Sequence, residues 1–208
     1  MIVYTSQQGT PEWLEERRGV ITGSRFKDCR DRLKNGELSA KAKLYAMDVA
    51  RERIGGSAQQ VYVNAAMRFG TEQEPFARHE YTVLHGMLVE AAGFIATDDR
   101  RFGCSVDGLV EPDGLIEIKT MVSSDTLFKA VVEGDISEYI DQINGAMWLL
   151  RRDWCDLILW APDLPKGKLT VRRVVRDDDA IDRLESDLVA FEAVVSQYEL
   201  RLMERLAA

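Results

Sequence analysis

The chain has 208 residues, with 46% hydrophobic and 30% charged side chains, which is typical of a soluble globular domain with a sizeable core. No apolar run reaches the roughly 20 residues of a membrane-spanning helix, and the first residues lack the pattern of a secretory signal. Three widely spaced cysteines do not suggest a disulfide framework or a CxxC metal site. We therefore expect one cytoplasmic domain, residues 1–208, with Cys29, Cys104 and Cys155 as buried or idle thiols.

The net charge of −8 disfavours a nucleic-acid partner at first sight, because phosphates attract basic surfaces. The charges are unevenly placed, however. Basic residues cluster early, at Arg17, Arg18, Arg25, Lys27, Arg30, Arg32 and Lys34, and acidic residues cluster late, at Asp177, Asp178, Asp179, Asp182, Glu185 and Asp187. A positive groove is compatible with this distribution, so the total charge does not decide the partner.

Helix start and stop signals dominate the first part of the chain. Thr10, Pro11 and Glu12 provide a cap, a first-turn proline and an acidic first turn, and Gly19 ends this helix. The other helices predicted here run from Ser24, as a cap, to about Lys34, from about Ser39 to Arg53, and from near Asn64 through Tyr81.

The pattern then changes to short segments bounded by Gly, Asp or Pro, as strands are. Strands are predicted at 87–92, 93–97, 101–105, 115–119, 154–160 and 169–175, and helical spacing returns at 125–133, at 138–150 and from about Asp178 onward. This order predicts a mixed-sheet α/β (α+β) domain. A central mixed sheet would be flanked by the N-terminal helices and a long C-terminal helix.

The segment from Ser105 to Lys119 is predicted to form two strands joined by a Pro-Asp-Gly turn. Side chains alternate between faces along a strand, so Glu117 and Lys119 share one face and Ile118 points to the other. The turn is expected to bring Asp107 back beside Glu117.

Two carboxylates and an ammonium group converging on an apolar strand pair indicate a divalent-cation site. Mg²⁺ usually binds one or two carboxylates together with water and substrate phosphate. The carbonyl of Ile118 is a further candidate ligand, and Lys119 is suited to orient or deprotonate the attacking water or to stabilise the transition state. The alternative is a solvated β-hairpin with a surface pair of Glu117 and Lys119.

Three other places carry polar residues that each have two explanations. Arg17 and Ser24 would hold a terminal phosphate at a helix start, or would form a capped helix pair with a surface arginine. Glu74 would extend the acidic site, or would be a solvated carboxylate on its helix. Gln142 lies on the apolar stripe of its helix. Its amide would contact a phosphate or water, or it would be a core amide whose hydrogen bonds are satisfied within the protein.

Five short motifs occur together in an order that resembles a known family. They are W-x-x-x-R-x-G-x-I-T-x-S (Trp13 to Ser24), G-x-x-x-E-x-x-A-R (Gly70 to Arg78), S-x-D-G (Ser105 to Gly108), E-I-K (Glu117 to Lys119) and Q-x-x-x-x-M-W (Gln142 to Trp148). Each motif is weak alone, but the set resembles the phage lambda exonuclease, or YqaJ-type viral recombinase, family of the PD-(D/E)XK nuclease superfamily.

The resemblance implies a restriction-endonuclease-like core and an alkaline-type exodeoxyribonuclease. Such an enzyme processively digests the 5′-ended strand of linear double-stranded DNA, releases 5′-mononucleotides and leaves 3′ single-stranded overhangs for recombination. It also implies two Mg²⁺ ions, for which Mn²⁺ can substitute, a toroidal homotrimer, and a single-strand annealing protein as partner. A phage or prophage gene product acting in the bacterial host cytoplasm is expected.

The resemblance also assigns roles to the residues of these motifs. Asp107, Glu117 and the carbonyl of Ile118 would bind metal, Glu74 would support the second metal, and Lys119 would be the catalytic lysine. The 5′-phosphate pocket would consist of Arg17, Ser24, Ser105 and Gln142, and Met67 would be an apolar wedge between the DNA strands.

Two positions depart from the superfamily pattern. Val106 replaces the usual proline before the aspartate, and Thr120 replaces the cysteine that commonly follows E-x-K. Neither residue supplies a ligand, so we expect little effect on the chemistry. A site-specific endonuclease or repair nuclease of the same superfamily, and a DNA-end-binding or assembly protein without catalysis, are the alternative functions.

Overall fold

Two mixed β-sheets and seven α-helices make up the part of the chain that the computed structural model describes, residues 1–57 and 64–207. The strands are β1 (Ile2–Val3), β2 (Ile21–Thr22), β3 (Val89–Glu90), β4 (Phe94–Ala96), β5 (Phe102–Ser105), β6 (Gly108–Val110), β7 (Gly114–Thr120), β8 (Trp154–Trp160) and β9 (Leu169–Val175). The helices are α1 (Pro11–Arg17), α2 (Phe26–Cys29), α3 (Ala40–Arg53), α4 (Ala65–His85), α5 (Ser124–Leu127), α6 (Ser137–Leu150) and α7 (Asp178–Leu206). The predicted mixed α/β class is confirmed.

Side-chain caps explain where five of these helices begin. The side chains of Thr10, Ser39, Asn64, Ser123 and Asp177 each accept a hydrogen bond from a backbone N–H in the first turn of the following helix. Such a bond satisfies a donor that the helix itself leaves unpaired. The cap predicted at Thr10 is therefore confirmed, as are the helix starts predicted at about Ser39 and near Asn64.

The helix predicted from Ser24 to Lys34 is wrong. Ser24 is an exposed residue of a 3₁₀ turn, Gly23–Arg25, and does not cap a helix. The four-residue α2 follows, and the chain then folds back so that Arg32 bridges Leu38. Gly36, the expected stop of the predicted helix, takes a positive φ of 84° within this turn. A second departure is the π-helical segment Phe128–Val132 after α5.

The strands form two mixed sheets. The first has the order β1-β4-β5-β2 and the second has the order β3-β6-β7-β8-β9. Strands β7 and β8 pair in parallel, and α6 lies in the connection between them, as a parallel pair requires. The chain crosses from the first sheet to the second between Ser105 and Gly108, so Asp107 lies at this crossing.

Both faces of the second sheet are covered. Leu115, Leu157 and Leu159 belong to the larger core, which also contains buried residues of α6 and α7. Ile116, Ile118 and Ile158 belong to a second apolar cluster, together with Ala77 and Tyr81 of α4. All three cysteines are buried and free, as predicted. Within the described ranges, no helix combines the length and the apolarity needed to cross a membrane.

Candidate active site

The candidate site lies where β6 leaves the edge of β7. The antiparallel register pairs Gly108 with Ile116, and β6 does not continue beside the rest of β7. Asp107 occupies the next position, and its Oδ2 accepts a hydrogen bond of 2.6 Å from the backbone N–H of Ile118. The prediction that the hairpin returns Asp107 to the neighbourhood of Glu117 is therefore confirmed.

Glu117, Lys119 and Gln142 form a closed group on the α6 side of β7. Lys119 Nζ lies 2.8 Å from Glu117 Oε1 and donates a hydrogen bond of 3.1 Å to Gln142 Oε1. Gln142 Nε2 donates a hydrogen bond of 2.5 Å to the same oxygen of Glu117. Glu117 is only 4% exposed, so this group is not the solvated surface pair that was the alternative.

Glu74 approaches the same place from α4. It is partly buried, and burial followed by the charge of Glu117 raises its pKa, while Arg78 and Lys119 oppose that shift. Burial and the charges of Glu117 and Glu74 also raise the pKa of Asp107 well above its usual value. These mutual effects mean that the three carboxyl groups share one electrostatic environment.

The Lys119 ammonium is stabilised by its neighbours. Burial alone lowers its pKa, but Glu117 and Asp107 outweigh burial, and the net direction is upward. The ammonium also lies 5.7 Å from the ring centre of Tyr139, a cation–π contact on α6. The site therefore presents a cationic donor beside three crowded carboxyl groups.

The donor chemistry of this group fits a hard divalent cation. Oxygen ligands suit Mg²⁺, and a bound cation would offset the burial and the carboxylate repulsion that together raise the pKa values of Asp107 and Glu74. In residues 1–57 and 64–207, no group of three or more His, Cys, Asp or Glu side chains is arranged so that it could hold a metal ion. Mg²⁺ usually binds one or two carboxylates plus water and substrate phosphate, so it does not need three such side chains.

Arg17 and Ser105 of the predicted phosphate pocket are linked through Trp13. The Arg17 guanidinium stacks 4.2 Å from the Trp13 ring centre, and Trp13 Nε1 donates a hydrogen bond of 3.1 Å to Ser105 Oγ. Burial lowers the pKa of Arg17. The buried thiol of Cys104 lies within electrostatic reach of both Glu117 and Arg17. Burial and the charge of Glu117 raise its pKa to about 12, and the charge of Arg17 opposes this shift.

The other predicted residues are placed as follows. Gln142 joins the Glu117–Lys119 group, while Ser24 is exposed on a 3₁₀ turn that packs against β5 and α6. Met67 is 46% exposed in the first turn of α4, so it is accessible to a ligand. The role of the Ile118 carbonyl stays a prediction.

Sequence reasoning assigned no role to Trp13, Tyr139 or Arg78. The ring of Trp13 contacts Arg17, and the ring of Tyr139 contacts Lys119. Trp13 is the first residue of the motif that contains Arg17 and Ser24, and Tyr139 lies one turn before Gln142 on the same helix. Arg78 lies one helical turn after Glu74, and its Nε is buried without a hydrogen-bond partner in the described part of the chain. A buried donor of this kind is costly unless a ligand or water satisfies it.

Comparison with known proteins assigns the chain to a family. The model of the YqaJ-like viral recombinase domain matches residues 12–151, more than half of the chain. The chain belongs to this family. A search of curated protein sequences gave no significant match.

Solved structures agree with the family. An alkaline exonuclease (LHK-Exo) from Laribacter hongkongensis has 34% identity and a TM-score of 0.84, and LHK-Exo in complex with dAMP has 33% identity and a TM-score of 0.85. Each comparison covers 95% of this chain and 98% of the other. A phage related exonuclease from Haemophilus somnus 129PT, at 18% identity, shares the fold with a TM-score of 0.68, over 89% of this chain and 96% of its own. Family and relatives together support a nuclease function in recombination.

Proposed function

We propose that this YqaJ-family protein is a Mg²⁺-dependent 5′→3′ exonuclease that acts on linear double-stranded DNA. It would release 5′-mononucleotides and leave 3′ single-stranded overhangs. The observation that carries the proposal is the group formed by Asp107, Glu117, Lys119 and Glu74 at the open edge of β7. Likeness to an alkaline exonuclease that has been crystallised with dAMP, a mononucleotide, supports the chemistry.

Mg²⁺ bound by Asp107, Glu117, Glu74 and the Ile118 carbonyl would polarise the scissile phosphate and lower the pKa of an attacking water. Lys119 donates hydrogen bonds toward the water and toward the charge that develops on the phosphate. Gln142 holds both Glu117 and Lys119, so it fixes the orientation of these two groups.

The 5′ polarity has a proposed physical cause in the phosphate pocket. Arg17, Ser105, Ser24 and Gln142 would bind the terminal 5′-phosphate, which would hold the first phosphodiester over the acidic group. The stacked position of Arg17 on Trp13 supports this role, because a guanidinium held flat by an aromatic ring is pre-oriented for an anion.

We further propose that the protein is a processive homotrimeric toroid that works with a single-strand annealing protein in the host cytoplasm. An exposed apolar stripe on α4 supports self-association. Phe69, Phe76 and Val83 recur every seven residues and are 38%, 62% and 64% exposed. Light scattering after gel filtration tests the trimer, and a monomeric mass at micromolar concentration would contradict it.

A single assay separates the candidate activities. Linear duplex labelled at the 5′ or the 3′ end is incubated with the protein in Mg²⁺ or in EDTA, beside closed plasmid circles. We expect mononucleotides from the 5′ end, no reaction in EDTA and intact circles. Nicked circles would indicate an endonuclease, and loss of nucleotides from the 3′ end would reverse the proposed polarity.

Lys119→Ala distinguishes an enzyme from a DNA-end-binding protein. We expect turnover to fall roughly 100- to 10,000-fold while duplex binding persists, because only the developing charge loses its donor. Lys129→Ala is the matched control, since Lys129 pairs with Asp125 on the surface. Equal turnover in both variants contradicts the assignment of Lys119.

The phosphate pocket is tested with duplexes that carry or lack a 5′-phosphate. The unmodified protein should digest the phosphorylated duplex faster, and Arg17→Gln, which keeps the side-chain stem, should remove that preference. Equal rates on both duplexes with the unmodified protein reject the pocket.

A further inference from the structure

Two hydrogen bonds fasten α4 to β8 outside the group of candidate catalytic residues. Near the middle of α4, Gln73 Oε1 accepts a bond of 3.1 Å from Trp160 Nε1. Two turns later, the Tyr81 hydroxyl donates a bond of 2.7 Å to Asp156 Oδ2. Tyr81, Asp156 and Trp160 are buried, so neither bond is easily exchanged for a bond to water.

The two bonds match in spacing. Gln73 and Tyr81 are eight residues apart, which is about 12 Å along a helix, and Asp156 and Trp160 are four residues apart, which is about 13 Å along a strand. Ala77 lies midway on the helix and belongs to the same buried cluster as Ile158, the residue midway on the strand. Helix and strand therefore run antiparallel with one register.

At one end of this connection, the charge of the Asp156 carboxylate is neutralised and its position is fixed by hydrogen bonds. Arg173 Nε and Nη2 each donate a bond of 2.8 Å to the two oxygens of Asp156. The guanidinium of Arg173 also lies 3.7 Å from the centre of the Trp154 ring. A buried carboxylate with three donors is a fixed attachment point, because moving it would leave a charge unpaired.

The register matters because Glu74 and Glu117 approach from different sides. α4 packs on the face of β7 that carries Ile116 and Ile118, whereas Glu117 and Lys119 lie on the opposite face. Glu74, although it belongs to α4, is close enough to Glu117 and Lys119 for their charges to act on its carboxyl group. A slide of α4 by one turn, about 5.4 Å, would change that separation.

α4 also has an internal weak point beside Glu74. Pro75 lies inside the helix and has no N–H, so one backbone bond is missing there. The helix before the proline therefore depends more on contacts outside itself. The Gln73–Trp160 bond supplies one immediately before Glu74.

We propose that Gln73 with Trp160, and Tyr81 with Asp156, are positioning pairs that set the place of Glu74 for binding a divalent cation. The proposal rests on the proposed function of Glu74 as a metal-supporting carboxylate. It adds that metal affinity depends on the register of α4 along β8, and that residues on the far face of the sheet control it.

The test is titration of the DNA-free protein with MgCl₂ by isothermal calorimetry. Tyr81→Phe and Trp160→Phe remove one donor each and keep an aromatic ring. We expect each to weaken Mg²⁺ binding roughly 10-fold, the effect typical of groups that orient metal ligands. In a Glu74→Gln background, the same two changes should have no further effect on Mg²⁺ affinity.

Ser39→Ala is the matched control. It removes a capping bond of α3 and should lower the melting temperature without changing Mg²⁺ affinity. The positioning role is overturned if both aromatic variants keep the Mg²⁺ affinity of the unmodified protein. It is also overturned if the two changes weaken Mg²⁺ binding as much in the Glu74→Gln background as in the unmodified protein. Neither result affects the proposed function. Absence of Mg²⁺ binding in the unmodified protein overturns the proposed function as well.

Discussion

The carboxyl group of Asp107 is held where a negative charge is unfavourable. Burial first, and then the charges of Glu117 and Glu74, raise its pKa, although the Ile118 N–H and Lys119 oppose the shift. The folded protein therefore binds this proton more tightly than the unfolded chain does. The stability from Asp107 is present below the unfolded carboxyl pKa of about 3.9 and is lost as the pH rises through the raised folded pKa.

Asp107→Asn should therefore raise the free energy of unfolding of the metal-free protein at neutral pH. Asparagine carries no charge, and its oxygen can still accept the Ile118 N–H. Urea denaturation in EDTA at several pH values measures the difference, which should disappear at acidic pH, where the aspartate is neutral in both states. A variant that is less stable than its parent at pH 7 contradicts this account of Asp107.

Among the elements, α6 connects the candidate catalytic group to the larger core. Its Gln142 reaches Glu117 and Lys119, and Gly145, three residues later, packs against Phe26 of α2. A Cβ at position 145 would lie 2.3 Å from two ring carbons of Phe26. The close approach of α6 to α2 therefore requires a residue without a side chain.

Gly145→Ala should destabilise the protein by about 1–3 kcal/mol, because an inserted methyl group overpacks a filled core. Gly70→Ala is the control on α4, since no described atom lies within 4 Å of a Cβ placed there. That change should be neutral or should stabilise by about 0.5–1 kcal/mol, because alanine loses less entropy than glycine in a helix. Thermal unfolding of both variants measures the contrast, and equal melting temperatures would be inconsistent with it.

Across the whole molecule, the question is how a chain of net charge −8 approaches DNA. β7 and β8 are parallel, so the connection from β8 to β9 lies at the same edge as Lys119. Lys166 and Lys168 are exposed in this connection and form no salt bridge within residues 1–57 and 64–207. A local positive region can therefore exist beside the site despite the acidic total.

Replacing Lys166 and Lys168 with glutamate should weaken duplex binding at low salt. The slope of log affinity against log salt should become shallower by about 2, one unit for each lost phosphate contact. The control replaces Arg151 and Arg152 with glutamate, which changes the charge equally just before β8, at the opposite end of the strand. Identical salt slopes for the two variants would remove these lysines from the DNA surface.

Short-range signals in the sequence correctly determined much of this protein. β8 and β9 begin and end at the residues predicted, and three helices begin where they were expected to begin, at Thr10, Ser39 and Asn64. The two-residue period also placed Glu117 and Lys119 on one face. These features depend on residues within a few positions of one another, so the local sequence is sufficient.

Only the tertiary structure decided how distant segments meet. It divided the strands between two sheets, ended the second helix at Cys29, and used Gln142 to hold Glu117 and Lys119. It also set the register in which Tyr81 of α4 bonds to Asp156 of β8. Such contacts join residues dozens of positions apart, and they depend on which surfaces pack together, which periodicity and spacing do not encode.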